Sequence, residues 1–131
     1  MTQDTDREEL RASLKSIFDK NKADFMSVDD AFAMLQQSIH AWNDVQGFWA
    51  SDNTGEKLML MVSELAEAME GDRKGLMDDK VPERTMLEVE LADTLIRIFD
   101  FAGRRKLDLA GALFDKMRVN LDRPFMHGKR Y

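Results

Sequence analysis

A chain of 131 residues with a net charge of −6 and no cysteine suits one domain, and it excludes disulfides and thiolate metal sites. Its two histidines are too few for a zinc or di-iron site that needs several imidazoles, so a metal site here would be built from oxygen ligands, which favour Mg²⁺, Mn²⁺ or Ca²⁺. The acidic balance argues against binding of a nucleic-acid polymer, and no apolar run approaches the ~20 residues needed to cross a bilayer.

The N-terminal segment, residues 1–26, is predicted to be an extension that carries one amphipathic helix. Leu10, Leu14 and Ile17 recur there at helical spacing. The first ten residues are acidic and polar, unlike a secretory signal, so a cytoplasmic location is the expectation. The main domain is predicted over residues 27–131.

Four main helices are predicted in residues 27–131, where prolines and glycines are scarce and no strand-like alternation is visible. The predicted features are a helix from Ser27 to near Gly47, a loop at residues 46–53, a helix at about 56–73 capped by Asn53 or Thr54, a helix from Pro82 in its first turn to about residue 104, and a helix at about 109–121. This pattern indicates an all-α fold, a four-helix bundle with an extra N-terminal helix.

Apolar side chains at helical spacing are expected to face the core of this bundle. On the second and third main helices these are Leu58, Met61, Val62, Leu65, Met69, Leu87, Leu91, Leu95, Ile98 and Phe99. Trp42 on the first main helix is expected in the core as well. Trp49 lies in the following loop, where an aromatic ring is better placed to stack on a base.

Two pairs of carboxylates form the candidate site. Glu64 and Glu67 are three residues apart on one predicted helix, and Glu90 and Asp93 are three apart on the next, so each pair shares a helix face. The short connection makes the two helices antiparallel neighbours, which lets the pairs converge. Converging carboxylates repel one another, and a hard divalent cation would offset the repulsion. The pattern alone leaves an ordinary solvated acidic face equally open.

Three segments of the chain together form a recognisable pattern: EKLMLMVSELAEAME at residues 56–70, ELADTLIRI at 90–98 and KMRVNLDRPFMHGK at 116–129. They supply an ExxE motif, a spacer of 22 residues, an ExxD motif and a basic ending. In this the chain resembles the MazG-like family of the all-α nucleotide pyrophosphohydrolases, over about residues 28–131.

The resemblance implies that a nucleoside triphosphate is cleaved to its monophosphate and pyrophosphate, as in the removal of surplus or non-standard nucleotides. It implies Mg²⁺ as the cofactor, with Mn²⁺ as a substitute, held by Glu64, Glu67, Glu90 and Asp93. It also implies a homodimer or homotetramer with the site near subunit contacts.

Cationic and polar side chains are predicted to bind the substrate, because a triphosphate needs positive charge around it. The predicted set is Lys57, Arg73, Lys74, Arg97, Lys116, Asn120, Arg123, His127, Lys129 and Trp49. Arg97 lies one turn beyond Asp93, and orienting a carboxylate is its favoured role. For several of the others, an ordinary solvated side chain is the competing interpretation.

Two other functions compete with the hydrolase. In a non-catalytic helical interaction protein, the acidic stripes would be salt-bridged surface and the N-terminal helix a docking element. A ferritin-like di-iron protein fits poorly, because the chain has no Glu-x-x-His motif.

Overall fold

The computed structural model describes Glu8, Ala12 and residues 27–130, and this part of the chain is helical, without strands. Its elements are α1 (Val28–Val45), α2 (Thr54–Lys74), α3 (Met86–Arg105), α4 (Leu109–Leu121) and a 3₁₀ helix, Phe125–Gly128. The predicted all-α class is therefore confirmed. Glu8 and Ala12 are helical, but the rest of the predicted N-terminal helix lies outside the described residues.

The helix starts follow local capping chemistry. Asn53 caps α2 by accepting a hydrogen bond from the Glu56 backbone N–H at 3.0 Å. Thr85 caps α3 through a reciprocal pair of hydrogen bonds with Glu88. The expectation that α3 starts with Pro82 in its first turn was wrong, because this capping box fixes the start at Met86 and leaves Pro82 in the preceding turn.

The chain divides into two compact units, residues 34–107 and residues 108–131 together with 1–33. The first unit holds most of α1 and all of α2 and α3, and the second holds α4. The predicted boundary after residue 26 stays a prediction. Within residues 27–130, no helix combines the length and the apolar character that a membrane span requires.

Helices α2 and α3 bury polar side chains and leave much of their apolar stripes exposed. Glu64, Glu90 and Asp100 are each only 8% exposed. The expected inward stripe was wrong at most of its positions: Leu58, Val62, Leu65, Met69, Leu91 and Leu95 are exposed, Met61, Leu87 and Ile98 are half-buried, and Phe99 is buried. The reason is that the carboxylate-bearing faces of the two helices carry the buried positions, which turns the apolar stripes away.

Of the two tryptophans, the one in the loop is buried and the one on α1 is not. Trp42, expected in the core, is 64% exposed, whereas Trp49 in the loop is 7% exposed. The indole N–H of the buried Trp49 donates to Asp100 at 2.8 Å, so burial leaves no unpaired donor on the ring. Helical spacing indicated that Trp42 shares a helix face with apolar neighbours. Helical spacing gives no information about a long-range hydrogen bond such as the one between Trp49 and Asp100.

Two glycines allow close approach of helices within residues 34–107. A Cβ atom on Gly71 of α2 would lie 2.7 Å from Cγ of Met86 at the start of α3. A Cβ atom on Gly103 of α3 would overlap the carbonyl oxygen of Gln36 in α1 and lie 2.9 Å from Cβ of His40. These contacts fix how closely α3 packs on both neighbours.

Candidate metal centre and adjoining pocket

Three of the four predicted metal ligands come together between α2 and α3. Glu64, Glu90 and Asp93 each offer a carboxylate oxygen, and these oxygens lie within 4.8 Å of one another. The packing of α2 on α3 brings Glu64 opposite the pair that Glu90 and Asp93 form at helical spacing. We call these three residues the carboxylate cluster.

Glu90 is the electrostatically unusual member of the carboxylate cluster. Its Oε2 atom is buried and has no hydrogen-bond partner. Burial, then the contact with Glu64 and the negative charges of Glu67 and Asp93, raise the pKa of Glu90 from 4.5 to about 7. Burying a carboxylate oxygen without a hydrogen-bond partner is unfavourable in free energy. Such a group in a native fold therefore indicates that it binds a partner.

The other two members of the carboxylate cluster, Glu64 and Asp93, lie near both negative and positive side chains. Burial and the negative charge of Glu64 raise the pKa of Asp93, while Arg97 partly opposes the shift. Arg97 Nε donates to Glu64 Oε1 at 2.5 Å, so one guanidinium neutralises part of the cluster. Asp78 and Lys80, in the connection between α2 and α3, also act on the pKa of Asp93, in opposite directions.

The carboxylate cluster fits a hard divalent cation. All its donors are oxygens, which Mg²⁺ prefers, and one of them is buried without a partner. Arg97 pairs with Glu64 and the positive charge of Lys80 acts on Asp93, so the three carboxylates are balanced only in part. Glu64, Glu90 and Asp93 therefore form a group that could hold such an ion in the described part of the chain.

Glu67, the fourth predicted ligand, is not part of this group of three. It is exposed, whereas Glu64, one turn before it, is buried. Its charge nevertheless contributes to the raised pKa of Glu90, which places it near the carboxylate cluster. Its role as a metal ligand stays a prediction.

A cavity of about 240 Å³ adjoins the carboxylate cluster, and both charged and apolar side chains line it. Glu64 and Asp93 line it on the acidic side, together with the cations Lys57 and Arg97. The remaining lining residues are Asn43, Phe48, Trp49, Leu60, Ile96, Asp100 and Phe101, most of them apolar or aromatic. A concave site that combines apolar and aromatic side chains with convergent charged groups is typical of small-molecule binding.

Lys57, a predicted phosphate ligand, is one of the lining residues. Its ammonium group donates to the carbonyl oxygen of Phe48 at 2.5 Å and lies 4.5 Å from the centre of the Trp49 ring. The guanidinium of Arg104 lies 5.1 Å from the same ring. Trp49 is therefore held beneath cations as part of the cavity wall.

Asp100, a buried carboxylate to which the sequence analysis assigned no role, accepts three hydrogen bonds beside this cavity wall. Asp100 accepts hydrogen bonds from His40 Nδ1 at 2.9 Å, Asn43 Nδ2 at 2.9 Å and Trp49 Nε1 at 2.8 Å. It follows Arg97 at i+3 on α3, so helical spacing already placed it on the face of the carboxylate cluster. Its partners come from α1 and the next loop, which helical spacing does not reveal.

The loop before α2 is also tied to the end of α3. Asp52 accepts from Arg105 Nη2 at 2.9 Å and from Arg104 Nη2 at 3.4 Å. Arg105 donates to the Thr54 hydroxyl as well, at 3.0 Å. These contacts hold the Trp49 loop close to α3, and sequence reasoning did not anticipate them.

The remaining predicted substrate residues lie elsewhere. Arg73 and Lys74 are at the C-terminal end of α2, where both pair with Glu70, and they are not among the lining residues. Lys116, Asn120, Arg123, His127 and Lys129 lie on α4 or beyond it, in the other compact unit. Their predicted contact with substrate stays a prediction.

Comparisons of this chain with protein-family models, with curated proteins and with solved structures find no match. The resemblance to the MazG-like family accordingly stays a prediction, and the chemistry of the site rests on the chain's own residues.

Proposed function

We propose that the protein is a Mg²⁺-dependent nucleoside triphosphate pyrophosphohydrolase that releases a nucleoside monophosphate and pyrophosphate. The observation that supports this most is the unpartnered, buried Oε2 of Glu90 within the carboxylate cluster. The adjoining cavity combines cations for phosphates with apolar and aromatic residues for a base. The family resemblance of the ExxE and ExxD motifs points to the same reaction.

In this proposal each charged residue has a separate task. Glu64, Glu90 and Asp93 would hold the ion, and Mg²⁺ would supply positive charge to the phosphates and polarise the attacking water. Glu67 is exposed next to the carboxylate cluster, which suits it to accept the proton of that water. Arg97 fixes the position of Glu64.

The reaction is an in-line displacement at the α-phosphorus. The water oxygen forms the new bond to the α-phosphorus, and the bond from that phosphorus to the bridging oxygen breaks, so pyrophosphate leaves. In this proposal Lys57 balances the charge of the phosphates, which its place among the lining residues supports.

The test is pyrophosphate release in the presence of Mg²⁺ from a panel of common and modified triphosphates. We expect Glu90→Gln and Asp93→Asn to lower the rate by about a hundredfold or more, because each removes a charged oxygen donor from the ion. Asp115→Asn is the matched control: it also replaces an acid by its amide, but on an exposed residue paired with Arg118.

Circular dichroism checks that each variant keeps its helices. Full activity in both Glu90→Gln and Asp93→Asn would contradict the assigned ion site. Calorimetric titration separates the hydrolase from the non-catalytic alternative. If neither Mg²⁺ nor Mg²⁺ with a non-hydrolysable triphosphate binds, the interaction protein is the remaining interpretation.

The proposal includes self-association and a cytoplasmic location. The apolar side chains of Val62, Leu65 and Met69 on α2, and of Leu91 and Leu95 on α3, are 45–59% exposed in the single chain. The three on α2 share one helix face, as do the two on α3, and exposed apolar faces are typical of an interface. A second copy of the chain would cover it in the predicted dimer or tetramer.

A further inference from the structure

Arg97 is the cation that pairs directly with the carboxylate cluster in the described part of the chain. From α3 its Nε donates across to Glu64 Oε1 on α2, at 2.5 Å. Burial raises the pKa of Asp93, and the positive charges of Arg97 and Lys80 oppose that shift. Within residues 27–130, however, no ion pair joins Lys80 to the cluster. The guanidinium of Arg97 therefore acts as the direct counter-ion of these carboxylates.

We propose that Arg97 is a counter-cation that a divalent ion displaces: the ion takes over Glu64, and the released guanidinium then binds substrate phosphate. The inference rests on the proposed function. Two observations support it. The buried Oε2 of Glu90 has no hydrogen-bond partner, so Arg97 does not satisfy the whole cluster. Arg97 also lines the cavity together with Glu64 and Asp93, where phosphates are proposed to bind.

The ion and the guanidinium would compete for one carboxylate. An ion bound to Glu64 would lie close to the charge of Arg97 in a part-buried place, where like charges repel more strongly than in water. Glu64 depends little on Arg97 for its orientation, because packing of α2 on α3 already buries it. Removing Arg97 should therefore strengthen ion binding, whereas the loss of a partner that only orients a ligand would weaken it.

The released guanidinium would remain at the cavity. Among the described residues Arg97 donates one hydrogen bond, from Nε, so its two terminal NH₂ groups can donate to a ligand. These groups form a planar fork that matches two phosphate oxygens. Lys57, the other cation that lines the cavity, already donates to the Phe48 carbonyl oxygen. Binding of the ion would thus make a second cation available to the phosphates.

The first test measures Mg²⁺ binding by calorimetric titration and Mn²⁺ binding by electron paramagnetic resonance. Arg97→Gln removes the charge and should tighten the binding of both ions about tenfold. Arg97→Lys keeps the charge and should bind them about as the wild type does. Arg118→Gln is the matched control, since Arg118 forms an exposed pair with Asp115, and it should change nothing. Weaker binding in Arg97→Gln, or no change, would overturn the proposal.

Thermal unfolding gives a readout that a purely structural role would not produce. In EDTA, Arg97→Gln leaves the carboxylate cluster without its direct counter-ion and should melt at a lower temperature than the wild type. In saturating Mg²⁺ the ion balances the same charges in both proteins, so the difference should shrink. An equal loss in EDTA and in Mg²⁺ would mean that Arg97 supports the fold regardless of the ion, and it would overturn the proposal.

The second half of the proposal is tested with pyrophosphate as the probe. Arg97→Gln should bind pyrophosphate about tenfold more weakly than the wild type when both are saturated with Mg²⁺, because the fork of donors is gone. One substitution thus changes the two affinities in opposite directions, tightening Mg²⁺ and weakening pyrophosphate. An unchanged affinity for pyrophosphate would overturn the transfer of the guanidinium to phosphate.

These binding measurements distinguish failure of the inference from failure of the proposed function. If both affinities change as expected but the wild-type protein hydrolyses no triphosphate, the proposed function fails and the role of Arg97 stands. If the wild type hydrolyses triphosphates but Arg97→Gln binds Mg²⁺ no more tightly, the role of Arg97 fails and the function stands. If neither protein binds Mg²⁺, the ion site is refuted and the inference with it.

Discussion

Glu90 shows how one buried carboxyl group links folding, pH and the proposed ion. Its pKa is about 7 in the folded protein, against an ordinary value of 4.5. The folded state thus holds this proton more tightly than the unfolded state does. Its contribution to stability is fully present below about pH 4.5 and is lost as the pH rises through about 7. Asp93, whose pKa is also raised, acts with the same sign.

The metal-free protein should therefore melt at lower temperatures as the pH rises from about 5 to about 8. Glu90→Gln removes the titrating group and should flatten this decline. Thermal unfolding followed by circular dichroism in EDTA measures both. Mg²⁺ should raise the melting temperature most at the high-pH end, where the carboxylate is ionised and binds the ion best. A decline of the same steepness in Glu90→Gln would rule out Glu90 as its source.

Some residues of the candidate site could be predicted from the sequence and others could not. The spacing of Glu64, Glu90 and Asp93 was enough to anticipate their convergence, because i and i+3 positions share a helix face and short connections make neighbours. The set around Asp100 was not predictable in this way. Its members His40 and Trp49 are 60 and 51 positions away along the chain, and only tertiary packing brings them together.

At the scale of elements, caps were more informative than periodicity. The ends of α1, α2 and α4 were predicted within about two residues, since Asn53 and Asp108 provide side-chain caps. Periodicity identified which residues share a face but assumed that the apolar face is buried. On α2 and α3 the polar face carries the buried Glu64 and Glu90 instead, so the predicted burial of the apolar stripes was wrong at most of their positions.

The packing of α3 on α1 gives a prediction about Gly103. In Gly103→Ala the new methyl group would overlap the Gln36 backbone, and the helices must separate. Such overpacking costs about 1–3 kcal/mol, which outweighs the roughly 1 kcal/mol that alanine gains over glycine in a helix. Because the clash is with backbone atoms, the cost lies in the upper part of this range, and we expect a net loss of stability of about 1–2 kcal/mol, measured by urea unfolding.

Gly55→Ala is the matched control for this prediction. A Cβ atom there would meet only the Asn53 side-chain oxygen, at 3.4 Å, near ordinary contact distance. The helix propensity of alanine should then dominate, and this variant should be as stable as the wild type or more stable. If both variants lose stability equally, the close approach at Gly103 is not the cause.

At the scale of the whole molecule, the proposed self-association gives the last prediction. Leu95 on α3 is 54% exposed within the apolar stripe, and Val119 on α4 is 55% exposed outside it. A buried charge at an interface is strongly unfavourable, so Leu95→Glu should weaken association by at least about tenfold. Val119→Glu adds the same charge at a position of equal exposure and should leave association unchanged. Sedimentation velocity over a range of protein concentrations measures the association of both variants and of the wild type. A wild-type protein that stays monomeric at every concentration would refute the interface, because no second copy would then cover the exposed apolar side chains of α2 and α3.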